Sequence, residues 1–316
     1  MMMRGSFRRA AKTLGIILTL VALAFVLREI IRSDMSDWRL LRSAGGVATL
    51  LGIGSFYGAS LATIYWAWLA LLGAESRKVA THRLVAMYGR FQIYKYVPSN
   101  VVHQVSRYAF LQDAGVRHRS IIWSTLAETA LIIVVAFGIS ALFGGLGLAE
   151  QLGSQLSRLP DGVPAMIGAG GGVALLVLLG VALFLRDRLA PVVDFLRNRI
   201  AGASIASALY GFFFVATGVL LYWMLWQTVA PGTALPPIGI VIAANALAWV
   251  LGTVTPGAPG GVGVREFVLI ASLAPFGIES AAVALAAQYR LATVIGDLCF
   301  YGGAQAAALG LRRRAS

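Results

Sequence analysis

The sequence predicts an all-α polytopic membrane protein made of two inverted-topology repeats, each with three transmembrane helices and one re-entrant helical hairpin. Three observations carry that reading. Of the 316 residues, 59% are hydrophobic and only 12% charged, with a mean hydropathy of +0.80, too little charge to clothe a soluble domain. Six apolar runs approach or exceed the roughly 20 residues that span a hydrocarbon core. Lysine and arginine also segregate to one side when only those six runs are counted as crossings.

The six runs are 13–31, 44–73, 120–147, 163–185, 205–230 and 280–311. Each is expected to be helical, because lipid satisfies no backbone N–H or C=O and a helix pairs them internally. The first follows Arg4, Arg8, Arg9 and Lys12 without a convincing small-residue cleavage site, so it reads as an uncleaved span rather than a signal peptide. Two more segments, 79–116 and 238–277, are apolar but interrupted near their centres by proline and then charge.

If neither interrupted segment crosses and the N-terminus is cytoplasmic, 16 cations face the cytoplasm and four (Arg32, Arg39, Arg42 and Arg158) face outward. A full crossing by only one of them would carry basic loops outside and spoil the asymmetry. Both are therefore read as re-entrant, within a single transmembrane domain over 1–316. Residues 1–150 and 151–316 then hold three crossings each, and an odd number inverts the second half relative to the first. Both termini are expected on the cytoplasmic side of the cytoplasmic (inner) membrane.

Spacing supports the repeat. Pro98 precedes Arg107 by nine residues in "YVPSNVVHQVSRYAF", and Pro256 precedes Arg265 by nine in "VTPGAPGGVGVREFV". Tyr108 and Phe267 follow the two arginines closely. Gly115 and Gly277 open the approach to the next span, the second half carrying four extra residues before its glycine. Inverted-repeat transporters place their binding sites at such interrupted helices.

If helix resumes after Pro98, then Asn100, His103, Gln104 and Arg107 share one face. A polar stripe at membrane depth must face protein or water, so these four are candidates to line a substrate cavity or to bond between helices. In the second hairpin Pro256 and Pro259 break the helix. Gly257, Gly260, Gly261 and Gly263 let backbone amides approach an anion. Arg265, in the first turn of the following helix, opposes the helix dipole and needs a carboxylate or an anionic ligand, whereas Glu266 suits the dipole.

Glu128, Arg290 and Asp297 lie deep in apolar runs, where a charge costs about 3 kcal/mol or more and so needs a partner. Glu128 stands 13 residues after Gly115 and Arg290 13 after Gly277, which suggests a Glu128–Arg290 pair near the pseudo-twofold axis, with Asp297 as the alternative partner of Arg290. Arg90 and Lys95 are expected to snorkel to the cytoplasmic surface, beside an interfacial belt of Tyr88, Phe91, Tyr94 and Tyr96. The glycines at 168–172 suit helix packing.

The balance of 26 Lys+Arg (23 of them Arg) against 13 Asp+Glu gives +13. In this setting it reports topology and anionic-lipid contact; no nucleic-acid module is visible, so no nucleic-acid partner is expected. The lone Cys299 excludes an intrachain disulfide. His82, His103 and His118 lack metal-ligand spacing with carboxylates. No metal, no cofactor and no catalytic residue is expected, and no enzyme.

The segments "KYVPSNVVHQVSRYAFLQDAGV" and "TPGAPGGVGVREFVLIASL" resemble the signature regions of the lysylphosphatidylglycerol synthase transmembrane domain family, flippase-like proteins of bacteria and archaea. The resemblance spans nearly the whole chain, and "PGGVGVRE" is its most specific part. It implies movement of lipids or lipid-linked headgroups across the cytoplasmic membrane, and it makes Pro98, Arg107, Gly261, Gly263, Arg265 and Glu266 motif positions. Two-domain members add a soluble C-terminal aminoacyl-transfer domain. This chain ends at "LGLRRRAS" without room for it, so no synthase activity is carried over. Homodimerisation is implied by the same resemblance.

The expected function is a flippase for an anionic phospholipid or a polyprenyl-phosphate-linked lipid, its phosphate held between the hairpins by Arg107, Arg265 and free helix-end amides. Two alternatives stand beside it. One is a proton-coupled secondary transporter of a small anion, using Glu128, Asp297 or His103. The other is a non-catalytic membrane component of lipid-linked glycan or hopanoid synthesis.

Overall fold

The computed structural model describes residues 38–95, 102–156, 194–195, 197–255 and 259–315, with backbone only at 39, 102–103, 146–156, 259 and 315. Every regular element among them is helical: α1 (Ala44–Leu72), α2 (Thr81–Tyr94), α3 (Val102–Asp113), α4 (His118–Leu156), α5 (Ile200–Thr228), α6 (Ile238–Val254), α7 (Val264–Leu273) and α8 (Glu279–Ala315), with short 3-10 turns between them. Four of these, α1, α4, α5 and α8, are long and apolar enough to cross a membrane, as expected for the runs at 44–73, 120–147, 205–230 and 280–311. The expected spans at 13–31 and 163–185 lie outside the described residues, as do Pro98, Asn100, Pro256 and the glycines at 168–172.

The order long, short, short, long occurs twice, as α1 to α4 and α5 to α8, and α1 and α5 are each 29 residues long. Local chemistry sets the ends. Ser43 caps α1 by accepting from the Gly46 amide at 3.0 Å, which satisfies one of the donors a helix start leaves unpaired. α1 stops at Gly73, whose φ of 59° is a glycine conformation. The Arg199 guanidinium, just before α5, donates to the Leu71 and Leu72 carbonyls at 2.8 and 2.6 Å, supplying donors and positive charge to that terminus. α1 and α5 are therefore antiparallel neighbours.

Glu75, after α1, is buried and pairs with Arg117, before α4, at 2.8 Å and with Lys78 at 3.1 Å. The α2–α3 hairpin thus starts and finishes at the same end of the bundle. Arg117, Lys78 and Arg199, which the charge asymmetry assigns to one side, meet there.

The halves are interlocked. α2 of the first half lies on α8 of the second, and α6 of the second lies on α4 of the first. Large apolar side chains such as Phe56, Trp66, Val134, Leu142, Phe212 and Trp226 remain exposed, consistent with a lipid-facing exterior.

α1 and α8 approach closely through glycines. A Cβ on Gly58 would sit 2.6 Å from the Gly296 carbonyl oxygen, and one on Gly296 would sit 2.6 Å from that of Gly54. Small residues at such crossings let helices pack without a hydrophobic drive between them. Gly58→Leu or Gly296→Leu is expected to destabilise the protein by about 1–3 kcal/mol through overpacking, read as loss of monodisperse protein after detergent extraction. Gly45→Leu, at a position with open space around it, is expected to behave as the parent.

Candidate functional site

A cavity of about 310 Å³ lies between the two broken helices. The first hairpin supplies Tyr88, Phe91, Gln92 and Lys95 from α2 and Gln104 and Arg107 from α3; the second supplies Trp249, Gly252 and Thr253, then Gly260, Gly261 and Arg265. Apolar residues of α1 and α4, including Leu61, Ile64, Ile132 and Ile133, complete the wall. Four of the sequence-selected binding residues with described side chains, together with Gly260 and Gly261, occupy or adjoin this space. His103 has no described side chain, and Asn100 lies outside the described residues.

Arg107 is buried at 5% exposure. It pairs with Glu128 at 2.5 Å, donates to the Thr125 hydroxyl at 3.2 Å and lies over Trp68, 5.3 Å from the ring centroid. Arg290 donates to the Gly260 carbonyl at 2.9 Å and stands 3.7 Å from the Glu266 carboxylate. The expected Glu128–Arg290 pair is thus corrected. Each of these deep charges pairs within its own half, with the hairpin that precedes its helix, and the signs are exchanged between halves. In the first the hairpin carries the cation; in the second it carries the anion.

Asp297, only 1% exposed, pairs with Lys95 at 2.7 Å. Lys95 therefore does not snorkel to the surface. It sits at the end of α2, which lies against α8, and the buried carboxylate 202 residues away in sequence gives the ammonium a partner. Arg90 is exposed as expected. Tyr88 is not in an interfacial belt: it is buried and stacks on Trp68 at 5.5 Å between centroids.

The second break is built around glycine. Gly260, Gly261 and Gly263 have φ of 60°, 74° and 84°, a region that costs other residues about 1–2 kcal/mol. The Gly263 amide, which might have faced an anion, instead donates to the Glu266 carboxylate at 2.7 Å. Glu266 thereby caps α7 and, through Arg290, ties the break to α8. The free-amide anion site expected at Gly263 is corrected accordingly.

Gly261 has a different use. A Cβ there would lie 2.7 Å from Arg265 Nε, and one on Gly252 2.6 Å from Arg265 Cγ, so the two glycines form a slot for this side chain. Arg265 lies over Trp249 at 5.3 Å and reaches the Thr253 hydroxyl at 3.4 Å. Its Nε is buried without a hydrogen-bond partner, and among the described residues it forms no ion pair. Gln104 Oε1 is likewise buried and unpartnered there.

Sequence reasoning missed Trp68 and Trp249 under the two arginines, and Thr125 and Thr253 beside them. The sequence offered no signal for them, because Trp68 and Trp249 stand four and five residues before the ends of α1 and α6, where interfacial anchors also sit. Among the described residues no group of three or more His, Cys, Asp or Glu side chains is placed to hold a metal.

No curated protein and no solved structure matches the chain. A family model does, over residues 12–300, a range that contains both broken helices, the cavity between them and the Arg107–Glu128, Lys95–Asp297 and Arg290–Glu266 pairs. The chain is a multi-pass membrane protein and belongs to the family described as the lysylphosphatidylglycerol synthase TM region.

Proposed function

We propose that the protein is a lipid flippase of the cytoplasmic membrane. It moves an anionic phospholipid or a polyprenyl-phosphate-linked lipid by alternating access, without a covalent step. The observation that carries this reading is one cavity in which Arg107 and Arg265, from the two broken helices, converge beneath apolar walls. Arg265, with no carboxylate paired to it among the described residues, suits the phosphate, and the walls and exposed apolar exterior suit the acyl chains. The repeated helix order, the antiparallel α1 and α5 and the exchanged contacts of α2 and α6 support two inverted halves. In that arrangement the hairpins enter from opposite faces, both termini are cytoplasmic, and the halves rock about the cavity.

The test is the purified protein in phosphatidylcholine vesicles carrying a fluorescent phosphatidylglycerol. Protein-dependent loss of inner-leaflet protection from a membrane-impermeant quencher supports the reading. Uptake of a soluble anion driven by a pH gradient, with no lipid movement, would replace it by the proton-coupled transporter.

A further inference from the structure

A second, smaller pocket adjoins the cavity. Tyr57, Trp249 and Arg265 line both spaces and so form the wall between them. The rest of its lining includes Thr217, Asn245, Tyr289 and Thr293, from α5, α6 and α8, all buried. Polar side chains at that depth need partners, and part of the set is satisfied internally. Asn245 donates one of its two amide hydrogens to the Thr217 hydroxyl at 2.9 Å, and the Thr293 hydroxyl donates to the Arg290 carbonyl at 2.9 Å. Arg265 Nε is buried without a hydrogen-bond partner.

Charge and size narrow the occupant. The charged groups lining the pocket are Arg265, Arg290 and Glu266, two positive and one negative, a balance of +1. Glu266 stands 3.7 Å from Arg290 and accepts from the Gly263 amide, whereas among the described residues the Arg265 guanidinium has only neutral hydroxyl partners, Thr253 and Tyr57. A further cation there is costly and an anion is favoured. The volume is about 20 Å³, above the roughly 10–15 Å³ that admits a water and well short of what a phosphate or sulfate needs. A water would take the hydrogen bond and leave the charge; a monatomic anion answers both.

We infer that this pocket is a halide site that holds chloride as the counter-ion of Arg265. The inference goes beyond the lipid reading and does not rest on it, because the ion sits beside the cavity and is not the transported species. Its donors are Arg265 Nε and the second amide hydrogen of Asn245, which line the same small space. The Glu266 carboxylate is the unfavourable neighbour, and its ties to Arg290 and to the Gly263 amide offset that. A bound halide neutralises the guanidinium while leaving it in the slot formed by Gly252 and Gly261.

The test is equilibrium binding of radiolabelled chloride to the full-length protein in detergent, in sodium gluconate at roughly 0.15 M ionic strength, where loose surface attraction is screened. A single saturable site per chain is expected, displaced by bromide and not by sulfate. Arg265→Gln, which removes the charge, is expected to weaken binding at least about tenfold, the worth of one charge-assisted hydrogen bond. Ala248→Val leaves every charge in place and fills the pocket, which Ala248 lines without reaching the larger cavity; the same loss is expected. Both variants are expected to melt as the parent does in chloride-free buffer, so that neither loss comes from misfolding.

Absence of saturable binding to the parent would give the pocket to water and overturn the inference. Undiminished binding by Arg265→Gln or by Ala248→Val would do the same, and so would displacement by sulfate as readily as by bromide, which would move the ion into the larger cavity. The assay contains no lipid. Its failure leaves the translocase reading standing, and a protein that binds chloride but moves no lipid leaves the halide site standing.

Discussion

Replacing Arg265 by alanine is expected to slow lipid translocation by about 10- to 100-fold while leaving the extracted protein as stable as the parent. A charge-assisted hydrogen bond is worth about 1.5–3 kcal/mol, and each 1.4 kcal/mol is a factor of about ten. Stability should hold because the side chain has no ion pair among the described residues and only neutral hydroxyl partners there, Thr253 at 3.4 Å and Tyr57. Its removal strands no buried carboxylate.

Arg265→Lys is expected to recover little, since the slot formed by Gly252 and Gly261 holds the planar guanidinium over Trp249, where an ammonium cannot present two parallel donors. Rates come from the quencher assay and stability from the melting temperature in detergent. A full-rate Arg265→Ala protein would remove the cation from the transport mechanism altogether.

The long helices were legible in the sequence because hydropathy and length decide them. The start of α1, expected at 44, is at Ala44, and the end of α5, expected at 230, is at Thr228. The break before α7 was legible through its glycines, three of which adopt positive φ. What was not legible is partnership. The matching intervals of 13 residues suggested that Glu128 and Arg290 meet, but an interval along the chain does not fix a contact across it, and each pairs instead with the short helix that precedes its own.

Lys95 is a second instance. Its position after an apolar stretch reads as snorkelling, and only the packing of α2 on α8 brings Asp297 within reach. The glycines of the second break were read as openings for a ligand, but Gly261 makes room for an arginine and Gly263 is closed by Glu266. A single sequence shows that side chains have been removed, not what fills the space.

Double-mutant cycles distinguish the two pairings of Glu128. Glu128→Gln and Arg107→Met are each expected to cost about 3–5 kcal/mol, because either leaves a charge buried without its partner. Combining Arg107→Met with Glu128→Leu is expected to restore most of that loss, since a buried ion pair replaced by apolar side chains of similar size is often neutral or better. Glu128→Gln with Arg290→Met should instead be additive within about 0.5 kcal/mol, as for sites sharing no partner. The cycles are read from unfolding in mixed detergent micelles. The restored Arg107→Met/Glu128→Leu protein then separates two roles for Arg107. Stable protein that still moves phosphatidylglycerol at the parental rate would make Arg107 purely structural. Stable protein with translocation lost would place the guanidinium on the lipid phosphate, and the cavity's position between Arg107 and Arg265 makes that the expected result.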